Sequence, residues 1–294
     1  AHNSLCLWPI VNFGSQEQKR KYVPKLAAGE WIGCFAISEP GTGSDAARQT
    51  CMAKKVNGGW EINGVKNWIT NAPVSDVCVV MTMGDPALKH KGINAFLIDM
   101  KTTPGVTVGK YEDKLGICGS PTASITFTEC LVSEDALLGR EGEGFTIAMK
   151  TLDGGRIGIA AQAVGIARAA LEDSLAYSKE RQTFGKYICE HQSIQNYLAD
   201  MATRIDASRL LTWHAARRKD KGVTYTKQAA QAKLFASETA MMCGVTGVQI
   251  HGGYGYVKEF NVERYMRDAK ITEIYEGTSE IQRLVIAGDL IKNG

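Results

Sequence analysis

The sequence lacks any apolar run that approaches the ~20 residues needed to cross a membrane as a helix. It also lacks an excess of one charge, since 34 Lys and Arg residues stand against 31 Asp and Glu residues and leave a formal net charge of +3. A balance this even gives no indication of nucleic acid or an anionic membrane as a partner. The opening stretch, AHNSLCLWPIVNFG, has neither the basic flank nor the cleavage site of a secretory signal. Without an initiating Met, it is interpreted as a truncated or processed start.

Metal-binding spacings are also missing. The eight cysteines include no CxxC pair, and the five histidines include no HExxH motif. We therefore predict no metal site. Scattered cysteines in a chain of this length are typical of small buried apolar side chains in a reducing compartment.

Length and composition are those of an ordinary globular protein. The 294 residues predict about two domains, at roughly 150 residues per domain. The hydrophobic fraction of 44% and the charged fraction of 22% are both in the usual range.

Short runs with strand character fill residues 32–132, and turn residues separate them. The turn residues include Asn57-Gly58-Gly59 and Asn63-Gly64, and both predict hairpins. Strands at this spacing, with no helical pattern between them, predict a compact β-barrel or sandwich. The predicted strands are 32–37, 50–57, 60–70, 76–83, 94–100, 105–111 and 123–130.

Helical patterns lie on both sides of the strands. Residues 15–28 predict a helix that ends at Gly29, and further helices are predicted at 143–180, 226–250 and 277–292. Between His191 and Lys219 an apolar stripe of helical period is formed by Ile194, Leu198, Met201, Ile205 and Leu210. Long helices with short polar connections predict an antiparallel bundle. The predicted fold class is therefore α+β, a central β-barrel or sandwich domain followed by a C-terminal antiparallel four-helix bundle.

Two motifs lie at the ends of predicted strands. The segment Phe35-Ala-Ile-Ser38-Glu-Pro-Gly-Thr-Gly-Ser44-Asp45 runs into a turn whose backbone N–H groups and hydroxyls can meet a polar ligand. An ordinary strand-end turn is the alternative. The segment Lys66-Asn-Trp68-Ile-Thr70-Asn71 places a large aromatic ring and a hydroxyl at another strand end, and a buried core Trp is the alternative there.

Three further motifs lie at the ends of predicted helices. Arg181-Gln-Thr183-Phe184-Gly-Lys186 combines groups that could hold a phosphate-sugar moiety. Gln249-Ile-His-Gly252-Gly253-Tyr-Gly255 has paired glycines that allow close backbone approach to a ligand, or that simply cap a helix. Tyr275-Glu276-Gly277-Thr278 places a carboxylate just before the free N–H groups of a helix start, where Glu276 could instead only cap that helix.

In their order and spacing, these motifs resemble the acyl-CoA dehydrogenase family. The stretches that carry the resemblance are FAISEPGTGSD, KNWITN, RQTFGK, QIHGGYGY and RDAKITEIYEGTSEIQR. It extends over essentially the whole chain and is closest to the short-chain, butyryl-CoA-type members. The resemblance implies three domains: residues 1–30 as a remnant of an N-terminal helical domain, 31–135 as a middle β domain, and 136–294 as the C-terminal helical bundle.

The resemblance also implies an activity. It is the FAD-dependent α,β-dehydrogenation of an acyl-CoA to the trans-2-enoyl-CoA in fatty acid β-oxidation, with electrons passed to an electron-transferring flavoprotein. FAD would lie between the β domain and the bundle and be shared across subunits of a homo-oligomer, usually a tetramer built as a dimer of dimers. The expected location is the cytoplasm in a bacterium and the mitochondrial matrix in a eukaryote.

By resemblance, the residues expected to bind FAD come from both predicted domains. Those of the β domain are Phe35, Ile37, Ser38, Trp68 and Thr70. Those of the bundle are Arg181, Thr183 and Phe184, which serve the neighbouring subunit, and Gln249, Gly252, Gly253, Thr278 and Glu280. The residues expected to bind the acyl-CoA substrate are Ser44, Asp153, Arg156, Tyr275 and Gly277.

Glu276 is the expected catalytic base, by the same resemblance. The α-proton of a thioester is weakly acidic, so its carbonyl must be polarised, and the Glu276 N–H and a flavin ribityl hydroxyl supply those hydrogen bonds in the family. A dry site should raise the pKa of Glu276 towards that of an effective base. Some members carry the base on a helix, one residue before the position of Arg156. That residue is Gly155 here and has no carboxylate, so Glu276 is the family-compatible candidate.

Two other functions remain open. An oxygen-using, acyl-CoA oxidase-like flavoenzyme would differ by rapid reoxidation of its reduced flavin in air. A non-catalytic scaffold that keeps the fold would purify without flavin.

Overall fold

The structure is a computed structural model and describes residues 1–293. The chain divides into two compact units. The first comprises Ala1–Asp113 and Cys118–Gly155, and the second comprises Lys114–Ile117 and Arg156–Gly294.

The first unit opens with helices. A π-helical turn, His2–Leu7, leads into α1 (Trp8–Phe13), and α2 follows at Gln16–Ala27. The start of α2 is held by a capping box, in which Ser15 and Gln18 each accept a hydrogen bond from the other's backbone N–H. Gly29, at φ +73°, follows its end, where a residue without a Cβ is favoured. The helix predicted at residues 15–28 is confirmed.

A seven-stranded curled sheet forms the rest of the first unit. Its spatial order is β1-β4-β2-β3-β7-β6, and β5 pairs with β4. β1 and β2 run parallel to β4, and the other pairs are antiparallel. The strands are β1 (Gly33–Ala36), β2 (Met52–Val56), β3 (Gly59–Thr70), β4 (Val77–Met83), β5 (Ile93–Asp99), β6 (Val106–Val108) and β7 (Thr122–Ser133).

The central strands β4 and β5 are buried on both faces. Alternate residues such as Val80 and Phe96 join a core with Trp60 inside the curl of the sheet. The intervening residues, such as Val79 and Leu97, pack in a second core with residues of the N-terminal helices. Burial on both sides explains why these strands are continuous apolar runs rather than alternating ones.

One predicted hairpin is wrong. Gly58, at φ +79°, lies in the tight turn between β2 and β3, as predicted. Asn63-Gly64 instead forms a bulge within the continuous strand β3, where the register with β7 shifts. Gly64 adopts φ +146°, and a Cβ there would lie 2.6 Å from the Cα of Cys51. The glycine is needed for close backbone approach, which the sequence pattern does not distinguish from a turn.

The second unit is helical. Its helices are α3 (Gly144–Glu180, whose first turns belong to the first unit), α4 (Gln192–Asp220), α5 (Thr226–His251), α6 (Val262–Lys270) and α7 (Ser279–Asn293). A short hairpin, β8 (Gln182–Thr183) and β9 (Lys186–Tyr187), joins α3 to α4. The core is rich in alanine, and α5 packs against α4, α6 and α7. The α+β fold class and the C-terminal helical region are as predicted.

Two details of the bundle differ from the prediction. Met201 and Ile205 are buried as the stripe on α4 predicts, but Leu210 is exposed because it lies off that face. α6 was not predicted, since its sequence is short and mostly charged. It packs closely on α5, where a Cβ on Gly244 would lie 2.8 Å from the Cα of Met266.

All eight cysteines are free thiols, and most of them are buried as expected, but Cys118 is exposed. Among residues 1–293, no helix has both the length and the apolar character to cross a membrane.

Candidate active site

Glu276 lies in the turn that precedes α7. Thr278, rather than Glu276, caps that helix, because its Oγ1 accepts a hydrogen bond from the N–H of Ile281 at 3.4 Å. Glu276 itself adopts φ +54°, and the next residue, Gly277, adopts φ +94°. A non-glycine residue at positive φ carries backbone strain, which often marks a functional position.

The carboxylate of Glu276 is buried. Its Oε2 has no hydrogen-bond partner within residues 1–293. Burial raises the pKa of Glu276 from 4.5 to about 7, although the nearby charges of Arg156 and Lys233 oppose the rise. A carboxylate with such a pKa can both take and release a proton near neutral pH.

The backbone N–H of Glu276 is also available. Among the described residues, it donates to no backbone carbonyl and to no side chain. One residue therefore presents a proton acceptor and a hydrogen-bond donor together, as polarisation and deprotonation of a carbonyl compound require.

Three residues expected to bind the substrate lie around this turn in the second unit. Arg156 is a buried residue of α3 whose charge acts on Glu276. Tyr275 and Gly277 flank Glu276 in sequence, and the Tyr275 hydroxyl donates to Gln162 of α3.

The other two expected substrate residues belong to the first unit. Asp153 lies on α3, one turn before Arg156, and Ser44 is exposed in the turn after β1. Gly155, the alternative position of the base, is a buried helical residue.

The FAD-binding residues expected in the first unit lie on two adjoining segments. Phe35 is in β1, Ile37 and Ser38 follow it, and Trp68 and Thr70 end β3. The N–H of Asn67 donates to the Ser38 carbonyl at 2.9 Å and joins the segments. Trp68 lies at a bulge with φ +61° and is 61% exposed, so the alternative of a buried core Trp is wrong.

A buried ion pair that the sequence reasoning missed supports these segments. Lys66 Nζ donates to Glu39 Oε1 at 2.7 Å, with side chains 0% and 1% exposed. It also donates to the Ile37 carbonyl at 3.3 Å. Burial alone would raise the pKa of Glu39, but the Lys66 charge and several hydrogen bonds outweigh it and hold the pKa below its usual value.

The FAD-binding residues expected in the second unit lie at helix ends. Arg181 follows the last residue of α3. Its guanidinium lies 5.7 Å from the ring centre of Tyr254, which brings it towards the Gly252-Gly253 turn after α5. Phe184, at φ +51° in the β8–β9 hairpin, is 96% exposed. Thr183 is hydrogen-bonded to His191 at 3.1 Å, and Gln249 is exposed. Thr278 and Glu280 lie at the start of α7.

The chemical groups that these residues present fit FAD. Exposed, strained aromatic residues such as Trp68 and Phe184 are costly in water but offer flat faces to a ring system. Arg181 provides a cation suited to a pyrophosphate. A Cβ added to Gly252 or Gly253 would meet no atom within 4 Å, so that backbone is open to a ligand.

Family models match three consecutive parts of the chain. The acyl-CoA dehydrogenase N-terminal domain matches residues 1–30, the middle domain matches residues 34–130, and the C-terminal domain matches residues 142–291. A curated relative, the mitochondrial short-chain specific acyl-CoA dehydrogenase of Homo sapiens, is 53% identical over 292 residues, which cover 99% of this chain and 71% of that protein.

Solved structures agree with these matches. The butyryl-CoA dehydrogenase of Megasphaera elsdenii is 48% identical, with a TM-score of 0.96 over 98% of this chain and 75% of that one. A chain in a structure described as the electron transferring flavoprotein of Acidaminococcus fermentans is also 48% identical, with a TM-score of 0.98 over 100% of this chain and 77% of that one.

Proposed function

Because the chain belongs to the acyl-CoA dehydrogenase family, we propose that it oxidises a short-chain acyl-CoA to the trans-2-enoyl-CoA. FAD is the cofactor, and an electron-transferring flavoprotein is the electron acceptor. Glu276 is the catalytic base. The observation that carries this proposal is the buried carboxylate of Glu276, whose Oε2 has no hydrogen-bond partner among residues 1–293, beside a backbone N–H that donates to none of those residues.

Glu276 takes the α-proton of the substrate and holds it as a carboxylic acid. Its N–H donates to the thioester carbonyl oxygen, which stabilises the negative charge that develops there as the proton leaves. The raised pKa of about 7 makes this transfer closer to balanced than it would be for an exposed Glu at 4.5. Bound FAD supplies the acceptor for the β-hydrogen, which leaves as a hydride.

Arg156, Tyr275 and Gly277 complete the second unit's substrate surface around Glu276. Asp153 and Ser44 bind the CoA portion. The buried Arg156 guanidinium offers a fixed cation, whereas the exposed Ser44 offers a hydroxyl from a surface turn.

FAD binding uses both sets of residues described above, and the β8–β9 hairpin serves the cofactor of a neighbouring subunit. Its Phe184 supports this arrangement, since the ring is 96% exposed and its flat face is open to contact a cofactor held by another subunit.

We propose a homotetramer built as a dimer of dimers. Apolar side chains exposed on α4 and α7 support an assembly, among them Leu210, Trp213, Leu284 and Ile291. Light scattering of the FAD-saturated protein should report the mass of four chains, and a flavin-replete monomer would contradict the proposal.

We also propose domain boundaries at residues 30/31 and 135/136, supported by family models that end at residues 30 and 130 and begin again at residues 34 and 142. In a eukaryote, the protein would act in the mitochondrial matrix, a proposal supported by the name of its human relative, which is called mitochondrial. In a bacterium, it would act in the cytoplasm.

The test of the function is reduction of the bound flavin by substrate. The FAD-reconstituted protein is mixed without oxygen with a panel of acyl-CoAs of increasing length and branching. Butyryl-CoA is expected to bleach the flavin fastest, and an electron-transferring flavoprotein should then reoxidise it. A protein that retains FAD but is reduced by no acyl-CoA would contradict the function.

Two outcomes would favour other functions. If air reoxidises the reduced flavin as fast as the electron-transferring flavoprotein does, an acyl-CoA oxidase-like enzyme is favoured. Failure to bind any flavin after reconstitution would favour a non-catalytic scaffold.

A further inference from the structure

Lys233 is a lysine of α5 whose side chain is fully buried. Its Nζ donates to the carbonyl of Gly277 at 2.7 Å, in the turn that carries Glu276. Burial lowers the pKa of Lys233 to about 8, while the charge of Glu276 opposes this effect. A buried ammonium is costly, so its presence calls for an explanation beyond packing.

The same turn is held from a second helix. Gln282, a fully buried residue of α7, donates from Nε2 to the Gly277 carbonyl at 2.8 Å and to the Glu276 carbonyl at 3.2 Å. Side chains of α5 and α7 therefore meet on one carbonyl oxygen. We call Lys233 and Gln282 the turn clamp.

The clamp acts on a strained segment. Glu276 and Gly277 have consecutive positive φ values, +54° and +94°. Such a conformation persists only where the surrounding structure holds it. Hydrogen bonds to both carbonyls fix the two peptide planes that follow the Cα of Glu276. The side chain of Glu276 leaves the Cα at which the first of these planes begins, so holding the planes also holds the Cα–Cβ bond that carries the carboxylate. The N–H of Glu276 lies in the preceding peptide plane, which ends at that same Cα, so the clamp also holds the point where that plane enters the turn.

We propose that Lys233 and Gln282 are positioning residues for the catalytic base. They hold the Glu276–Gly277 turn so that the carboxylate and the N–H of Glu276 face one substrate. The inference rests on the proposed function, because it requires Glu276 to be the base. Neither residue needs to touch the substrate or FAD.

The test separates binding from chemistry. Lys233→Met removes the ammonium and keeps the apolar stem, and Gln282→Leu removes the neutral half of the clamp without leaving a buried charge unpaired. We expect each to slow flavin reduction by saturating butyryl-CoA by about 10²-fold, since a base displaced by about an ångström loses that much rate. The dissociation constants for FAD and for trans-2-butenoyl-CoA, read from the flavin spectrum, should stay close to those of the wild type.

Lys227→Met is the matched control. Lys227 also lies on α5 and also bridges to α7, through a 2.7 Å ion pair with Asp289, but it does not contact the turn. This variant should reduce its flavin at the wild-type rate.

Several outcomes would overturn the inference. Wild-type reduction rates in Lys233→Met and Gln282→Leu would do so, as would a loss of FAD and acyl-CoA binding in proportion to the loss of rate. If Lys233→Met does not fold, the rate of Gln282→Leu decides. A wild-type protein that butyryl-CoA does not reduce, or a Glu276→Gln variant reduced at the wild-type rate, would contradict the proposed function itself.

Discussion

Replacing Glu276 with Gln should abolish chemistry and stabilise the protein at alkaline pH. Gln keeps the shape of the side chain but cannot accept the α-proton. General-base catalysis commonly contributes ~10²–10⁴-fold, so flavin reduction by butyryl-CoA should fall by at least that factor. FAD and acyl-CoA should still bind.

The stability change follows from the raised pKa. The folded protein holds the Glu276 proton up to a pKa of about 7, whereas the unfolded chain releases it near 4.5. The folded state therefore binds more protons between these values, and the free energy of unfolding falls as pH rises through this window. The difference corresponds to about 3 kcal/mol that the wild type loses above neutral pH.

Urea unfolding measures this effect. Wild type and Glu276→Gln are compared at about pH 5 and about pH 8.5, at equal protein concentration and with saturating FAD, because both ligand and assembly shift the equilibrium. The variant's free energy of unfolding minus that of the wild type should be about 2.5 kcal/mol larger at the alkaline pH than at the acidic one, because part of the effect is already present at about pH 5, where the unfolded Glu is mostly ionised.

The same pKa predicts the activity profile. In the wild type, kcat/KM should rise with pH through about 7, as free Glu276 becomes ionised. A stability difference between variant and wild type that is equal at both pH values would refute the raised pKa. Flavin reduction at a near wild-type rate in Glu276→Gln would place the base elsewhere.

Three further substitutions test other parts of the molecule. Lys66→Met should lower the free energy of unfolding by about 3–5 kcal/mol in urea, because it leaves the buried Glu39 carboxylate unpaired. Gly277→Ala should slow flavin reduction and cost about 1–2 kcal/mol in the same assay, because its φ is +94° and a Cβ would lie 2.6 Å from Gln282 Nε2. Arg181→Ala should weaken FAD binding by about 1.5–3 kcal/mol in a flavin fluorescence titration, through loss of a charged phosphate contact.

Each has a control. Adding Glu39→Gln to Lys66→Met should recover part of the lost stability, and no recovery would show that the carboxylate is not the cause. Gly58→Ala, also at positive φ (+79°) but where a Cβ would meet no atom within 4 Å, should leave flavin reduction unchanged and so isolates the effect at Gly277. For Arg181, a wild-type FAD affinity would contradict its assigned role.

The sequence alone predicted the parts of the fold that depend on local patterns. The apolar runs of β4 and β5, the long helices α3, α4 and α5, and the Gly29 helix end all follow from periodicity and turn chemistry within a few residues. The order of the motifs also carried the family resemblance and pointed to Glu276.

Contacts between distant residues decided the rest. Asn63-Gly64 became a bulge because Cys51 packs against it, and α6 is held by its packing on Gly244 of α5.

The site shows the same division. The resemblance pointed to Glu276 as the expected base and to a raised pKa in a dry site, whereas only the structure shows that burial within this chain raises the pKa to about 7. Lys66 and Lys233 look like ordinary surface lysines in the sequence. Their partners, Glu39 and Gly277, lie 27 and 44 residues away along the chain. A residue's type and local period are properties of the sequence, whereas its burial, its partner and its pKa arise only when folding brings remote segments together.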